Sequence, residues 1–306
     1  MAPKIPIRIG TRGSPLALRQ TEQVAAELGS LYPDWNISVV RVRTKGDLFL
    51  EASFSQIGGK GVFVKEIEEA LLAKEIDLAV HSMKDLPTDL PPGLLLAAIT
   101  RREDSRDCLI AREGRSLEEL PHRASIGTSS VRRQAQIRSF RPDLQVRPLR
   151  GNVSTRIRKL TSEGLDGIIL ASAGLHRLGM QELITQYLPL EICLPAAGQG
   201  SLGIEMREGD EELKEAVSVL CDEGSACSVR AERALLRRLG GGCQIPIGAF
   251  GQVEVDDLHL FGVICDPEGK KVIRGDLAGT LREAERLGEE LGERLWPQAR
   301  EILEGN

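Results

Sequence analysis

Short β-branched runs alternate with helix-length amphipathic stretches twice along this chain. That alternation restricts the fold more than any other feature, because it demands sheets covered by crossover helices. Residues 5–9, 36–42, 76–80 and 94–99 read as strands. Residues 16–28 and 62–73 carry apolar side chains at helical spacing. The pattern restarts with strands at 108–111, 145–148 and 167–171, and with helices from about Val131 and over 153–160. Each series predicts an α/β sheet, mostly parallel. The small, turn-rich run Leu194-Pro-Ala-Ala-Gly-Gln-Gly-Ser-Leu-Gly203 suits a segment crossing between two lobes, followed by a short strand at 204–206. From about Ala226 the pattern changes to a helix over 229–239, strands near 247–253 and 258–264, and a last helix from about Leu281. This predicts a small α+β domain.

A chain of 306 residues exceeds what one core usually organises, so at least two domains are expected. The net charge is −5 and only ten residues are aromatic (Phe 6, Trp 2, Tyr 2), which argues against a nucleic-acid coat or base-stacking platform. The longest apolar run, 94–99, is far short of a membrane span. The N-terminus carries no secretory or transit pattern, so a cytoplasmic protein is expected. The six cysteines show no CxxC pair and no zinc spacing with the four histidines, and no metal site is expected.

The mild net charge conceals a strong local imbalance. Residues 131–160 hold Arg132, Arg133, Arg138, Arg141, Arg147, Arg150, Arg156, Arg158 and Lys159 against the single acid Asp143. Arginine forks suit carboxylates and phosphates. In Thr128-Ser-Ser-Val-Arg-Arg133 two arginines fall in the first turn of a helix, an unfavourable place for a cation unless an anion sits there. Leu149-Arg-Gly-Asn-Val-Ser-Thr-Arg156 repeats the arrangement, and Thr11-Arg-Gly-Ser-Pro15 sets Arg12 and Ser14 before another helix. Gly58-Gly-Lys-Gly61 offers Lys60 on a turn without Walker spacing. In His81-Ser-Met-Lys-Asp85 the acid Asp85 stands among cationic loops, placed to stabilise a developing cation or move a proton. Cys243 follows three glycines, on a loop able to approach a cleft, whereas Cys193 and Cys265 read as buried structural thiols. Taken alone, each of these features has a plainer reading: a solvated arginine, a loop ion pair, a helix cap, a packed cysteine.

Taken together they resemble the porphobilinogen deaminase family over essentially the whole chain. The likeness rests on Thr11-Arg-Gly-Ser-Pro-Leu-Ala17, Thr44-Lys-Gly-Asp47, Gly58-Gly-Lys-Gly-Val-Phe-Val-Lys-Glu66, Ala79-Val-His-Ser-Met-Lys-Asp85, Gly127-Thr-Ser-Ser-Val-Arg-Arg133, Leu149-Arg-Gly-Asn-Val-Ser-Thr-Arg156, Pro195-Ala-Ala-Gly-Gln-Gly200 and Gly241-Gly-Cys-Gln-Ile-Pro-Ile247. The resemblance implies two lobes like those of periplasmic anion-binding proteins, with mixed, mainly parallel sheets, plus the small C-terminal domain. Its domains would be residues 1–100 with 196–218, then 101–195, then 219–306. It implies a dipyrromethane cofactor joined by a thioether to Cys243, and the head-to-tail condensation of four porphobilinogen molecules into hydroxymethylbilane with release of ammonia. By the same resemblance Asp85 is the catalytic residue, which holds pyrrole N–H groups and stabilises the developing positive charge. Ser82, Lys84, Thr128, Ser129, Arg132, Arg133 and Arg150 hold the cofactor. Arg12, Ser14, Lys60, Arg150, Arg156, Ala171, Arg177 and Gln199 bind substrate, whose acetate and propionate groups explain the many forks. A monomer without membrane or nucleic-acid partners is implied. One departure is Gln56, where the family often has a second base, so nothing ionic is expected there. Three other classes remain open: a non-catalytic anion binder, which leaves Cys243 and Asp85 unexplained, a nucleic-acid binder, which requires steeply salt-dependent binding, and a thiol enzyme, which requires a base partner for Cys243.

Overall fold

The computed structural model describes residues 5–44, 64–240 and 245–303. Lys60, Gln56 and Cys243 lie outside the described residues. The chain divides into two compact units, Met1–Arg102 with Ser201–Ala226, and Glu103–Gly200 with Cys227–Asn306.

The first unit is built on β1 (Ile5–Thr11), α1 (Pro15–Leu31), β2 (Trp35–Arg41), α2 (Lys65–Leu72), β3 (Leu78–Ser82) and β4 (Leu94–Ile99). The returning strand β10 (Leu202–Arg207) and helix α6 (Glu211–Ser218) complete it. Its sheet runs β2-β1-β3-β10-β4. β1 lies parallel to β2 and β3, and β10 runs antiparallel to both β3 and β4. Leu78 and Val80 bury one face of β3 with Ile7, Ile9, Leu28 and Val217, while Ala79 joins Ile67, Leu71 and Ile76 on the other. This two-sided burial is why β3 reads as a continuous apolar run. The helix α6 was not foreseen. Its signal was an Asp210 cap, which accepts from the Leu213 amide, and only two buried apolar residues, Leu213 and Val217.

The second unit repeats that sheet. Its elements are β5 (Asp107–Ala111), β6 (Ser125–Gly127), α3 (Val131–Phe140), β7 (Gln145–Arg147), α4 (Val153–Ser162), β8 (Gly167–Ala171), α5 (Ser172–Arg177) and β9 (Gln186–Tyr187). The order β7-β6-β8-β5-β9 has β6 parallel to β7 and β8, with β5 antiparallel to β8 and β9. Each five-stranded sheet therefore has four strands running one way and one returning strand, the mixed and mainly parallel α/β arrangement expected.

The same unit also contains an antiparallel meander of β11 (Ile247–Glu254), β12 (Asp257–Cys265) and β13 (Val272–Thr280). Helices α7 (Glu223–Arg238) and α8 (Ala284–Leu303) contribute Ala231, Leu235, Leu287, Leu291 and Leu295 to its core. β13 was missed in the sequence because Gly275 and Gly279 stand where apolar side chains would signal a strand. A Cβ on Gly275 would lie 2.9 Å from Leu295 Cδ2, so the close approach of α8 demands glycine there. Ala135 of α3, Leu194, Val263 and Cys265 form a buried cluster that joins this meander to the second five-stranded sheet.

Candidate functional site

In the first unit the described candidate residues collect at one edge of the sheet. β1 and β3 are parallel neighbours, so the segments that leave them, with Arg12 and Ser14 after β1 and Lys84 and Asp85 after β3, emerge at the same edge. That edge is where α/β sheets present side chains to ligands. Ser14 has a structural duty: its Oγ accepts from the Ala17 amide at 3.2 Å and caps α1. Arg12 is half-buried. Ser82 accepts from Gln20 Nε2 at 3.0 Å. After Ser82 the chain makes a single turn of 3₁₀ helix, Met83–Asp85. Met83 (1% exposed) and Leu86 (5%) are both buried, and the Met83 amide donates to Ser201 O at 3.1 Å. The turn is thus pinned at both ends, which turns Asp85 out to solvent with half-buried Lys84 beside it.

In the second unit β6, β7 and β8 again end at a common edge. Thr128 to Arg133 follow β6, Arg150 to Arg156 follow β7, and Ala171 closes β8. Ser130 Oγ caps α3, and Asn152 Oδ1 caps α4 by accepting from the Thr155 amide at 2.9 Å. Between Arg150 and Asn152 the chain turns through Gly151 at φ +112°, where a side chain would run into Thr155. Arg156 Nε donates to Gly151 O at 2.7 Å, folding its side chain back over the turn that carries Arg150. Ser129 Oγ donates to Leu149 O at 3.0 Å and accepts from the Leu149 amide at 2.9 Å, which fixes that turn against the start of α3. Thr128 is buried, and its hydroxyl accepts from the Ser130 amide at 3.2 Å.

Arg132 and Arg133 stand at the start of α3. Two cations at a helix start do require an anion, but the chain supplies it from within. Asp107, wholly buried at the head of β5, receives Arg132 Nη1 at 2.7 Å on Oδ2, and Arg133 Nη2 at 2.7 Å and Nε at 3.0 Å on Oδ1. Gln199 Nε2 donates to the same carboxylate at 2.8 Å and to Ser105 O at 2.7 Å. Gln199 is buried and braces the Asp107 carboxylate. Arg132 also reaches Leu194 O at 2.6 Å, and Arg133 reaches Ile169 O at 3.1 Å. Burial alone would push the Asp107 pKa up; the two guanidiniums outweigh it and hold the carboxyl well below the usual range. Asp107 was missed in the sequence. Its signal was an acid immediately ahead of the apolar strand Cys108–Ala111, since an acid buried there needs cationic partners.

Arg177 donates to Gly200 O at 2.6 Å, and burial lowers its pKa to about 10. Cys193 and Cys265 are wholly buried, as expected. Burial raises the Cys193 thiol to about 12 and Cys265 to about 11, so both stay protonated. Among the described residues no group of histidine, cysteine and acid side chains is arranged to hold a metal ion.

Two family models match the chain. "Porphobilinogen deaminase, dipyromethane cofactor binding domain" covers residues 7–215, and "Porphobilinogen deaminase, C-terminal domain" covers 226–296. The chain is 53% identical to a protein of Geobacter metallireducens named porphobilinogen deaminase, over 99% of this chain and 95% of that one. It is 50% identical to a protein of the same name from Syntrophus aciditrophicus, over 97% of each. Among solved structures, the periplasmic VFT2 domain of Bordetella pertussis BvgS aligns with a TM-score of 0.41 at 13% identity, over 71% of this chain and 86% of that one.

Proposed function

The chain belongs to the porphobilinogen deaminase family, and from that premise we propose the following division of labour among its residues. The protein is a transferase of tetrapyrrole biosynthesis, a hydroxymethylbilane synthase that condenses porphobilinogen head to tail and uses dipyrromethane as cofactor. The observation that carries this is about 50% identity to proteins named porphobilinogen deaminase over nearly the full chain. In each condensation the aminomethyl C–N bond of one porphobilinogen breaks and a C–C bond to a pyrrole carbon forms. Ammonia leaves, carrying the amine, and the displaced pyrrole proton balances the step. Dipyrromethane, when bound, supplies the pyrrole carbon on which the chain grows.

The donor chemistry fits such a ligand. Linked pyrroles bearing acetate and propionate groups call for several cations at capped helix starts, and Arg150 and Arg156 stand at one. Cys243 is assigned the thioether. Arg150, with Ser82, Lys84, Thr128 and Ser129, is assigned to the cofactor. Arg132 and Arg133 join them through N–H groups beyond those engaged by Asp107, since a guanidinium carries five. Arg12, Ser14, Lys60, Arg150, Arg156, Ala171, Arg177 and Gln199 are assigned to substrate. Asp85 holds pyrrole N–H groups and stabilises the positive charge left as ammonia departs. Its support is the pinned turn that presents it to solvent. The division into residues 1–100 with 196–218, 101–195 and 219–306 belongs to the same reading, and the gap between the two family models supports its last boundary. So does a cytoplasmic monomer with no nucleic-acid or membrane partner; among the described residues no helix is long and apolar enough to cross a membrane.

Intact mass of the denatured protein tests the assignment. The expected result is an adduct equal to two linked pyrrole units, absent from Cys243→Ser. An unmodified mass in protein that turns over porphobilinogen overturns it.

A further inference from the structure

Glu232 has no part in the chemistry assigned above, yet it is wholly buried on α7 and its carboxylate ties two other segments together. Oε2 accepts from the Gly198 amide at 2.6 Å, and Oε1 accepts from the Gly251 amide at 2.7 Å. Gly251 belongs to β11, and a Cβ on it would lie 3.0 Å from Ser228 Cα, so α7 and β11 are in tight contact where the carboxylate bridges them. Gly198 belongs to the Pro195–Gly200 run. That run bonds to β11 through the Ala249 amide and Pro195 O at 2.9 Å, and its Gln199 reaches Asp107. Just ahead of it, Leu194 O takes Arg132.

The sequence gives this junction a direction. α7 ends at Arg238 and β11 starts at Ile247, so the two elements bracket Cys243. The carboxylate therefore joins both flanks of the cysteine segment to the loop that reaches the Asp107–arginine cluster. A buried carboxylate with two backbone amides is a costly arrangement to keep for stability alone, since apolar packing would serve a core position equally well. We propose that Glu232 is a positioning residue, which sets the flanks of Cys243 in register with the cluster that holds Arg132 and Arg133. The proposal rests on the assignment of Cys243 and the arginines to the cofactor.

The test follows adduct formation by intact mass in full-length protein isolated without the adduct and supplied with porphobilinogen. It compares the wild type with Glu232→Gln, which keeps the shape but turns an N–H toward an amide donor. Leu235→Ala, a core truncation on the same helix, serves as a stability control. All are measured at a temperature where circular dichroism shows them folded. Glu232→Gln is expected to acquire the adduct at least tenfold more slowly, while Leu235→Ala lowers Tm and keeps the wild-type rate. Equal slowing of both variants in step with Tm overturns the positioning role, as does a wild-type rate in Glu232→Gln. Wild-type protein that never acquires the adduct overturns the cofactor assignment and this inference together. If Glu232→Gln does not fold, Glu232→Asp, which keeps the charge but shortens its reach, is read by the same criteria.

Discussion

The two five-stranded sheets share one strand order, and each has a wholly buried carboxylate on its returning strand, but the two carboxylates are satisfied differently. On β5, Asp107 receives two arginines and Gln199, with Cys193 Sγ at 3.2 Å. On β10, Glu205 has His81 Nε2 at 2.9 Å on one oxygen, while Oε1 has no hydrogen-bond partner among the described residues. Nearby Glu68 is also buried, with Oε1 unpartnered among the described residues, and its pKa is raised to about 7 by burial first and by the Glu205 charge second, against the opposing effect of His81. Charge stoichiometry thus separates two otherwise similar frames. Two cations for one anion keep the Asp107 cluster ionised across the whole working range of pH. Among the described residues of the first unit two carboxyls share one histidine, and the Glu68 pKa is raised to about 7.

Breaking the better-satisfied cluster should have the largest effect. Asp107→Asn keeps the shape but leaves two buried guanidiniums without their anion, at a cost of about 3–5 kcal/mol. Denaturant unfolding should show this loss, and a change below about 1 kcal/mol would mean that solvent or a ligand already compensates the arginines. The second effect is on rate. Asp85 is exposed and its flanking residues carry the packing, so Asp85→Asn should leave Tm nearly unchanged. It should lower kcat about 10²- to 10³-fold, or about 3 kcal/mol in the barrier. Full turnover would remove Asp85 from its role.

The third effect sharpens the contrast through pH. Glu68 has a folded pKa above its unfolded value, so between about 4.5 and about 7 the folded state holds a proton that the unfolded state has released. Stability therefore falls as pH rises through that window and levels off above it. Glu68→Gln should flatten the slope by on the order of 2 kcal/mol. Thermal midpoints measured from pH 4.5 to 8 decide it, and a wild-type slope in the variant would show that Glu68 does not carry the dependence.

Much of this was legible in the chain, and the exceptions have identifiable causes. The strands at 94–99 and 167–171 and the helix starts at Val131 and Val153 fall where periodicity and caps place them, because those signals are local. β13 and α6 escaped because their apolar side chains are replaced by glycines under α8 or reduced to two residues. The candidate residues were chosen by charge and turn chemistry; of those described, Arg12, Ser14, Lys84, Asp85, Thr128, Ser129, Arg150 and Arg156 follow parallel strands of their units. What the residues could not reveal was which charges were already paired.

Arg132 and Arg150 look alike in sequence, since each is an arginine beside a helix start, Arg132 in the first turn and Arg150 just ahead of it. Local sequence determined that both helix starts would be capped and cationic, since caps and turns depend on residues three or four positions apart. Only the tertiary structure decided that Asp107, 25 residues before Arg132, would take up one pair of cations in the interior. It likewise decided that Glu232 would clamp two glycine amides that lie 34 and 19 residues from it in sequence. The physical reason is the same in each case. The cost of burying a charge is set by its three-dimensional neighbours, and those neighbours meet only when distant strands and helices close around it.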